Sequence, residues 1–395
     1  ATMTNVAIIA AKRTPMGAFL GELSALSAVE LGGAAIAGAL SDISLDPNRI
    51  DQTLMGIVLP AGVGQAPARQ AGVAGGLPFS VPATAISKVC GSGMKAVIDG
   101  FRDLSAGAAD VVVAGGMESM SNAPHLLRSS RKGHRLGDVA LIDHMAFDGL
   151  QDAYETGASM GKFAEDCASQ YQFARKQQDQ YALESLSLSL AAEQRGAFNR
   201  EIVAVKVKGR QAEVVVGSDE QPRAAKPEKI PTLKPAFVAG GTITAASASS
   251  ISDGAAALVL ASGDAIEANG LAPRAWIAGA ASHAQEPGWF TTAPVFAARK
   301  LLAKLNWASS DVDLWEVNEA FAVVALAFMT EMGIPRERLN VNGGACALGH
   351  PIGASGARII VTLLHALEER SLKRGIAAIC IGGGEALAIA IERRA

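Results

Sequence analysis

The chain has 395 residues, nearly half of them apolar but only 5% aromatic, with 42 glycines and a formal net charge of −3. That length exceeds what one core usually supports, so two or three domains are expected. The near-neutral balance excludes the electrostatic footprint of a nucleic-acid binder, and the composition excludes fibrous or disordered chains in favour of a closely packed α/β enzyme.

The N-terminal run Val6-Ala7-Ile8-Ile9-Ala10 reads as a strand ended by Lys12-Arg13-Thr14-Pro15. No charged segment followed by an apolar region and a cleavage site precedes it, so a cytoplasmic location is expected. Thr53-Leu54-Met55-Gly56-Ile57-Val58 is a second apolar run, and Val111-Val112-Val113 a third, of the kind buried on both sheet faces. Between these two runs, Cys90-Gly91-Ser92-Gly93 precedes apolar positions at helical spacing (Met94, Val97, Ile98, Phe101).

From about Ser121 to Gly241 the character changes. Here lie a charged patch from Arg128 to Arg135, a helical pattern over 175–194 and a Pro/Lys-rich run from Pro222 to Pro235. This stretch reads as an insertion over one face of the core, where ligand grips often reside. Beyond it the order repeats: Leu314-Trp315-Glu316-Val317, then Ser355-Gly356 opening a helix with Ile359, Ile360, Leu363 and Leu364, then Ile379-Cys380-Ile381-Gly382-Gly383-Gly384-Glu385. Three matched steps in one order predict a duplicated core. The apolar stretch 375–391 reads as a buried strand and is too short and too charged, at Glu385, to cross a membrane.

The four cysteines, Cys90, Cys167, Cys346 and Cys380, fit neither a zinc pattern nor a disulfide framework. Cys90 precedes a helix start, where backbone N–H groups and the helix dipole favour a thiolate and could hold an oxyanion. Cys380 ends a strand before three glycines, a turn that lets a ligand approach the backbone. His350 lies in a Gly-His-Pro turn before another helix. Taken singly, each also fits a buried structural residue. Asn318, at a strand end, could position a water or bind an oxyanion; by itself it also fits an ordinary helix N-cap, with Glu319 in the first turn. Cys167 and Cys346 read as structural.

Together these motifs resemble the thiolases over almost the whole chain: Val89-Cys90-Gly91-Ser92-Gly93-Met94-Lys95-Ala96, Asn318-Glu319-Ala320-Phe321, the Gly-His-Pro motif within 340–356, and Cys380-Ile381-Gly382-Gly383-Gly384. The resemblance implies an α/β thiolase fold, with two duplicated βαβαβ-type halves in a five-layered αβαβα core carrying an inserted loop domain. The expected parts are a first half of residues 1–120 with 242–271, an insertion of 121–241 and a second half of 272–395.

It further implies reversible Claisen condensation of two acetyl-CoA to acetoacetyl-CoA and CoA. Cys90 would carry the acyl group, His350 would activate it and Cys380 would move the α-proton. A water held by Asn318 with His350 would form one oxyanion hole, and the N–H groups of Cys90 and Gly382 the other. Coenzyme A, as substrate and not as cofactor, would contact Ser249, Arg223, Phe237, Ala245, Ala320, Phe321, Met160 and Leu150. No metal is expected, and a homo-oligomer is, a tetramer ahead of a dimer. Ser159, Ala246-Ser247, Ala386 and Cys346 depart from the short-chain biosynthetic pattern. A degradative 3-ketoacyl-CoA thiolase of broader chain length is therefore the alternative. A decarboxylating condensing enzyme is disfavoured by Cys380, and a non-catalytic acyl-CoA binder by the presence of Cys90, His350 and Cys380 together.

Overall fold

The computed structural model describes residues 5–209 and 212–394. Nine strands carry the core: β1 (Val6–Arg13), β2 (Gln52–Gly56), β3 (Ala83–Ile86), β4 (Val111–Ser119), β5 (Ser252–Ser262), β6 (Ala275–Ala284), β7 (Leu314–Val317), β8 (Arg374–Ile381) and β9 (Glu385–Glu392). They lie in the order β7-β8-β9-β6-β1-β5-β4-β2-β3, with the two-residue strand Gly17–Ala18 pairing at the end of β5. The apolar stretch read as one buried strand is a hairpin instead. Gly383 and Gly384, at φ of +90° and +86°, turn the chain between β8 and β9.

The sheet repeats itself. In the first half β1 pairs antiparallel with β5, β5 antiparallel with β4, and β4 parallel with β2. In the second half β6, β9, β8 and β7 repeat those three pairings in the same order. The halves join where β1 meets β6, through Ala7 opposite Trp276 and Ile8 opposite Ala275. The duplicated sequence steps are thus duplicated strands.

Each half places one helix inside and two outside. The inner helices, Ser92–Ser105 and Ile352–Glu369, share a core in which Met94, Val97 and Ile98 meet Ile359, Ile360 and Leu363 between the two half-sheets. On the outer face of the first half, helices Ala28–Ser41 and Pro67–Ala74 bury Leu31, Ile36 and Ala71 against Ile9, Val113 and Val259. On the second, helices Ala293–Leu305 and Ala322–Met332 bury Leu301 and Phe328 against Trp315 and Ala378. That is the αβαβα layering. Each such aliphatic side chain removed from water contributes about 1.5–3 kcal/mol.

Small residues set how closely the inner helices approach. A Cβ at Gly93 would lie 2.9 Å from the Ala357 nitrogen, and one at Gly356 2.5 Å from the Met94 nitrogen. The Ser-Gly steps therefore let two helix starts from different halves touch, which brings Cys90 and His350 to one place.

The stretch between β4 and β5 contains the helices Met160–Gln170 and Arg175–Gln194, and the second matches the predicted 175–194. It is pinned to β1 by Arg13. This buried guanidinium bonds both carboxylate oxygens of Asp219 at 2.7 and 2.9 Å and Glu201 at 2.6 Å. A buried charge must be fully paired to be tolerated, and this bidentate geometry pairs it.

Candidate active site

Cys90 sits on a strained turn. Val89, a β-branched residue, adopts φ of +46°, in the left-handed region that such side chains avoid. Ser92 holds the turn, accepting the Lys88 N–H at 2.8 Å and donating to the Val89 carbonyl at 2.6 Å. The sulfur is thereby presented just ahead of the helix, on the wall of a cavity of about 430 Å³. Burial pushes the Cys90 thiol up to about 11, against the pull of N–H groups of Gly382 and of Cys90 itself. The helix start expected to favour the thiolate is present, but desolvation outweighs it. Cys90 rests as a thiol and needs a base.

His350 can be that base. Ser355, on the first turn of the inner helix Ile352–Glu369, donates to the Pro351 carbonyl at 3.1 Å and so accepts from the His350 Nδ1–H. This assigns the tautomer and makes Nε2 the acceptor, facing the Asn318 amide N–H in a long contact of 3.5 Å. Burial, reinforced by the Arg358 charge, lowers His350 to about 3. The imidazole is neutral at physiological pH and able to accept a proton.

Cys380 lies at the end of β8, buried, and its thiol is raised well above the ordinary range by burial first and by the nearby Cys90 second. Two adjacent desolvated thiols cannot both ionise cheaply. The shifts favour a proton on each sulfur beside a neutral imidazole. Gly382 lies two residues further on, its N–H aimed at the Cys90 sulfur.

One cavity collects most of the residues singled out by sequence. Cys90, His350, Cys380 and Gly382 line it together with Ser249, Phe237, Ala245, Ala320, Phe321, Met160 and Leu150. Phe237 and Phe321 meet edge-on, with ring centroids 5.6 Å apart, across its wall. Asn318 is buried behind His350 and not on the wall. Arg223 is not brought in. Its guanidinium bonds Glu22 at 2.7 Å and the Asp219 carbonyl at 3.0 Å, outside the cavity. Cys167 and Cys346 do not line the cavity either.

The reading of Asn318 and Glu319 as a helix start is corrected. The helix begins at Ala322, with Phe321 as its N-cap. Glu319 is instead a buried hub, accepting from Tyr181 at 2.6 Å, Ser185 at 2.8 Å, Asn340 at 2.8 Å and the Cys346 N–H at 3.1 Å. It ties the insertion helix Arg175–Gln194 to the loop that carries Asn318. Sequence reasoning also passed over Glu118, at the end of β4. Burial raises its carboxyl to about 7, although the N–H groups of Val58, Leu59 and Gly353 donate to it. A lone acid in an otherwise apolar run was the available signal. Met120, Ile251 and Ile352, which cluster with Cys90 and Leu150, gave none.

A half-buried thiol on the cavity wall, a neutral imidazole and a second, buried thiol on a duplicated α/β core fit an acyl-transfer enzyme. The comparisons make the class specific. The thiolase N-terminal domain profile matches residues 6–264 and the thiolase C-terminal domain profile residues 271–393. The chain belongs to the thiolase family. It is 50% identical to acetyl-CoA acetyltransferase 2 of Arabidopsis thaliana, over 98% of this chain and 97% of that one. It is 46% identical to the acetyl-CoA acetyltransferase of Cupriavidus necator, over 99% and 100%. Among solved structures, the Acat5 thiolase from Ascaris suum in complex with coenzyme A superposes with a TM-score of 0.93 at 45% identity, covering 99% of this chain and 100% of that one. The acetyl-CoA acetyltransferase of Bacillus anthracis superposes at 0.96 with 40% identity, over the full length of both.

Proposed function

We propose that this chain is an acetyl-CoA C-acetyltransferase, joining two acetyl-CoA to acetoacetyl-CoA and CoA and running the reverse thiolysis. The observation that carries the reading is the convergence of Cys90, His350, Cys380 and Gly382 on one cavity. The relatives' names support the substrate.

The protonation states suggest how the steps balance. Cys90 gives its proton to His350 Nε2 and attacks the thioester carbonyl, while the departing CoA sulfur takes the Cys380 proton. Cys90 is then acetylated, His350 protonated and Cys380 a thiolate. That thiolate removes the α-proton of the second acetyl-CoA, and the enolate attacks the acetyl carbon. As the tetrahedral intermediate collapses, the Cys90 sulfur leaves and recovers its proton from His350. A thiol raised by burial is weakly acidic, and once ionised it is a correspondingly strong base for a reluctant α-carbon. The N–H groups of Cys90 and Gly382 would take one oxyanion, and a water held by Asn318 together with His350 the other.

Ser249, Ala245, Phe237, Ala320, Phe321, Met160 and Leu150 would hold the pantetheine and acyl parts. Arg223 would serve the nucleotide end only after releasing Glu22. The proposed parts are a first core half of 1–120 with 242–271, an insertion of 121–241 and a second half of 272–395. The repeated sheet and the change of family profile between residues 264 and 271 support this division.

A broader 3-ketoacyl-CoA thiolase is the second reading, favoured by the apolar cluster of Met120, Leu150, Ile251 and Ile352 around Cys90. Thiolysis rates from acetoacetyl-CoA to long 3-ketoacyl-CoA decide between them. A steep fall with length supports the first reading, and a preference for long chains overturns it. A homo-oligomer, a tetramer first, is also proposed. The exposed edge at Thr84 and Ala85 and the exposed Phe79 support it. Four free thiols support a reducing, cytoplasmic setting.

A further inference from the structure

The turn that presents His350 is held from behind by a closed ring of hydrogen bonds belonging to neither half's inner helix. Gln221 comes from the short helix Glu220–Ala224 of the insertion. Its Oε1 accepts from the Ser250 hydroxyl, and its Nε2 donates to Ser252 Oγ at 2.9 Å. Ser252 in turn donates to the Ser250 carbonyl at 2.9 Å. The His350 backbone N–H points into this ring, 3.1 Å from the Ser250 carbonyl and 3.2 Å from Ser252 Oγ. Gly349 packs directly on it at φ of +104°, where a Cβ would fall 2.1 Å from Ser252 Oγ and 2.6 Å from Gln221 Nε2.

Two further facts make the ring consequential. Ser250 also lines the cavity, next to Ser249. The helix carrying Gln221 is itself clamped: Asp219 holds Arg13, and Glu220 accepts the N–H groups of Ala18 and Glu22 at 2.8 and 2.9 Å. Gln221 is therefore a fixed point against which both the Ser249-Ser250 wall and the His350 backbone are set.

We propose that Gln221 is a positioning residue for acyl transfer, fixing the substrate wall at Ser250 and the imidazole of His350 in one register through Ser252. The proposal rests on the base role of His350 given above. Gln221 touches no reacting atom. Its contribution is the placement of Nε2 relative to the Cys90 sulfur, which proton transfer requires to within a fraction of an ångström.

The test is kinetic, on the full-length enzyme. Gln221→Met keeps the side chain's length and removes both bonds. It is expected to lower kcat and the rate of Cys90 acetylation by about tenfold, with KM for acetyl-CoA held within about twofold. Ser250→Ala, which severs the same bond from the other side, should cost a similar factor. The double variant should be no slower than the worse single one, because both act through one ring. Unchanged kcat in the single variants, a KM rise at constant kcat, or losses that multiply would each overturn the proposal. Should Gln221→Met fail to fold, Ser250→Ala carries the same kcat and KM criteria alone. His350→Asn is measured in parallel. If it leaves Cys90 acetylation intact, the base role itself fails. If it slows acetylation while Gln221→Met and Ser250→Ala do not, only the positioning role fails.

Discussion

The two halves place equivalent inner helices at the same point of a repeated sheet, yet the turns that begin them differ in strain, burial and backing. The first-half turn strains Val89 into a left-handed conformation and presents Cys90 at the cavity wall. The second-half turn buries His350, bonds its Nδ1 to Ser355 and backs its main chain with Ser250, Ser252 and Gln221. The duplicated core thus holds two helix starts in contact, and their different turns suit one to the proposed nucleophile and the other to the proposed base. The raised Cys90 and Cys380 thiols beside a lowered, neutral His350 fit that contrast, since a desolvated thiol needs an acceptor nearby.

The widest break in this contrast is removal of the base. His350→Asn is expected to slow acetylation of Cys90 on the order of 10³-fold in stopped-flow measurements. A loss below about tenfold would mean Cys90 ionises without help. Asn318→Ala, which strips the amide beside Nε2, should lower kcat about 10²-fold with a smaller change in KM. Equal changes in both would move Asn318 from the reaction to the fold. Tyr181→Phe leaves the cavity untouched but removes one of the donors to Glu319. It should cost about 1–3 kcal/mol of stability by chemical denaturation, and a neutral result would show the hub to be redundant.

The smallest effect sharpens the comparison most gently. Since burial holds Cys90 near 11, its alkylation by iodoacetamide should keep rising with pH through 9 in the free enzyme. A plateau near pH 7 would restore the helix start as the dominant influence.

The sequence carried the fold well because its strongest signals were local and repeated. Val111-Val112-Val113 and Leu314-Val317 could be strands only if buried, and the two Ser-Gly steps marked helix starts that lie in contact. The meeting of Cys90, His350, Cys380 and Gly382 on one cavity was legible for the same reason, each being tied to a short motif at a turn. What was not legible depends on distant partners. Glu319 looked like an N-terminal helix residue until Tyr181, Ser185 and Asn340 closed around it. The weight of the helix start at Cys90 was overestimated because desolvation is a property of the whole cavity. The bond that holds Arg223 outside the cavity comes from Glu22, far away in the chain, which its own segment does not reveal. Gln221 carried no motif at all.

The division of labour between the two thiols is tested most directly by a Cys380→Ala enzyme mixed with acetyl-CoA and examined by intact and peptide mass spectrometry. The account predicts an acetyl group accumulating on Cys90, more slowly than in the unaltered enzyme because the Cys380 proton for the departing CoA is also gone, with no acetoacetyl-CoA formed, because the acyl carrier remains while the base for the α-proton is gone. An adduct on any other residue, no adduct, or continued formation of acetoacetyl-CoA would contradict it.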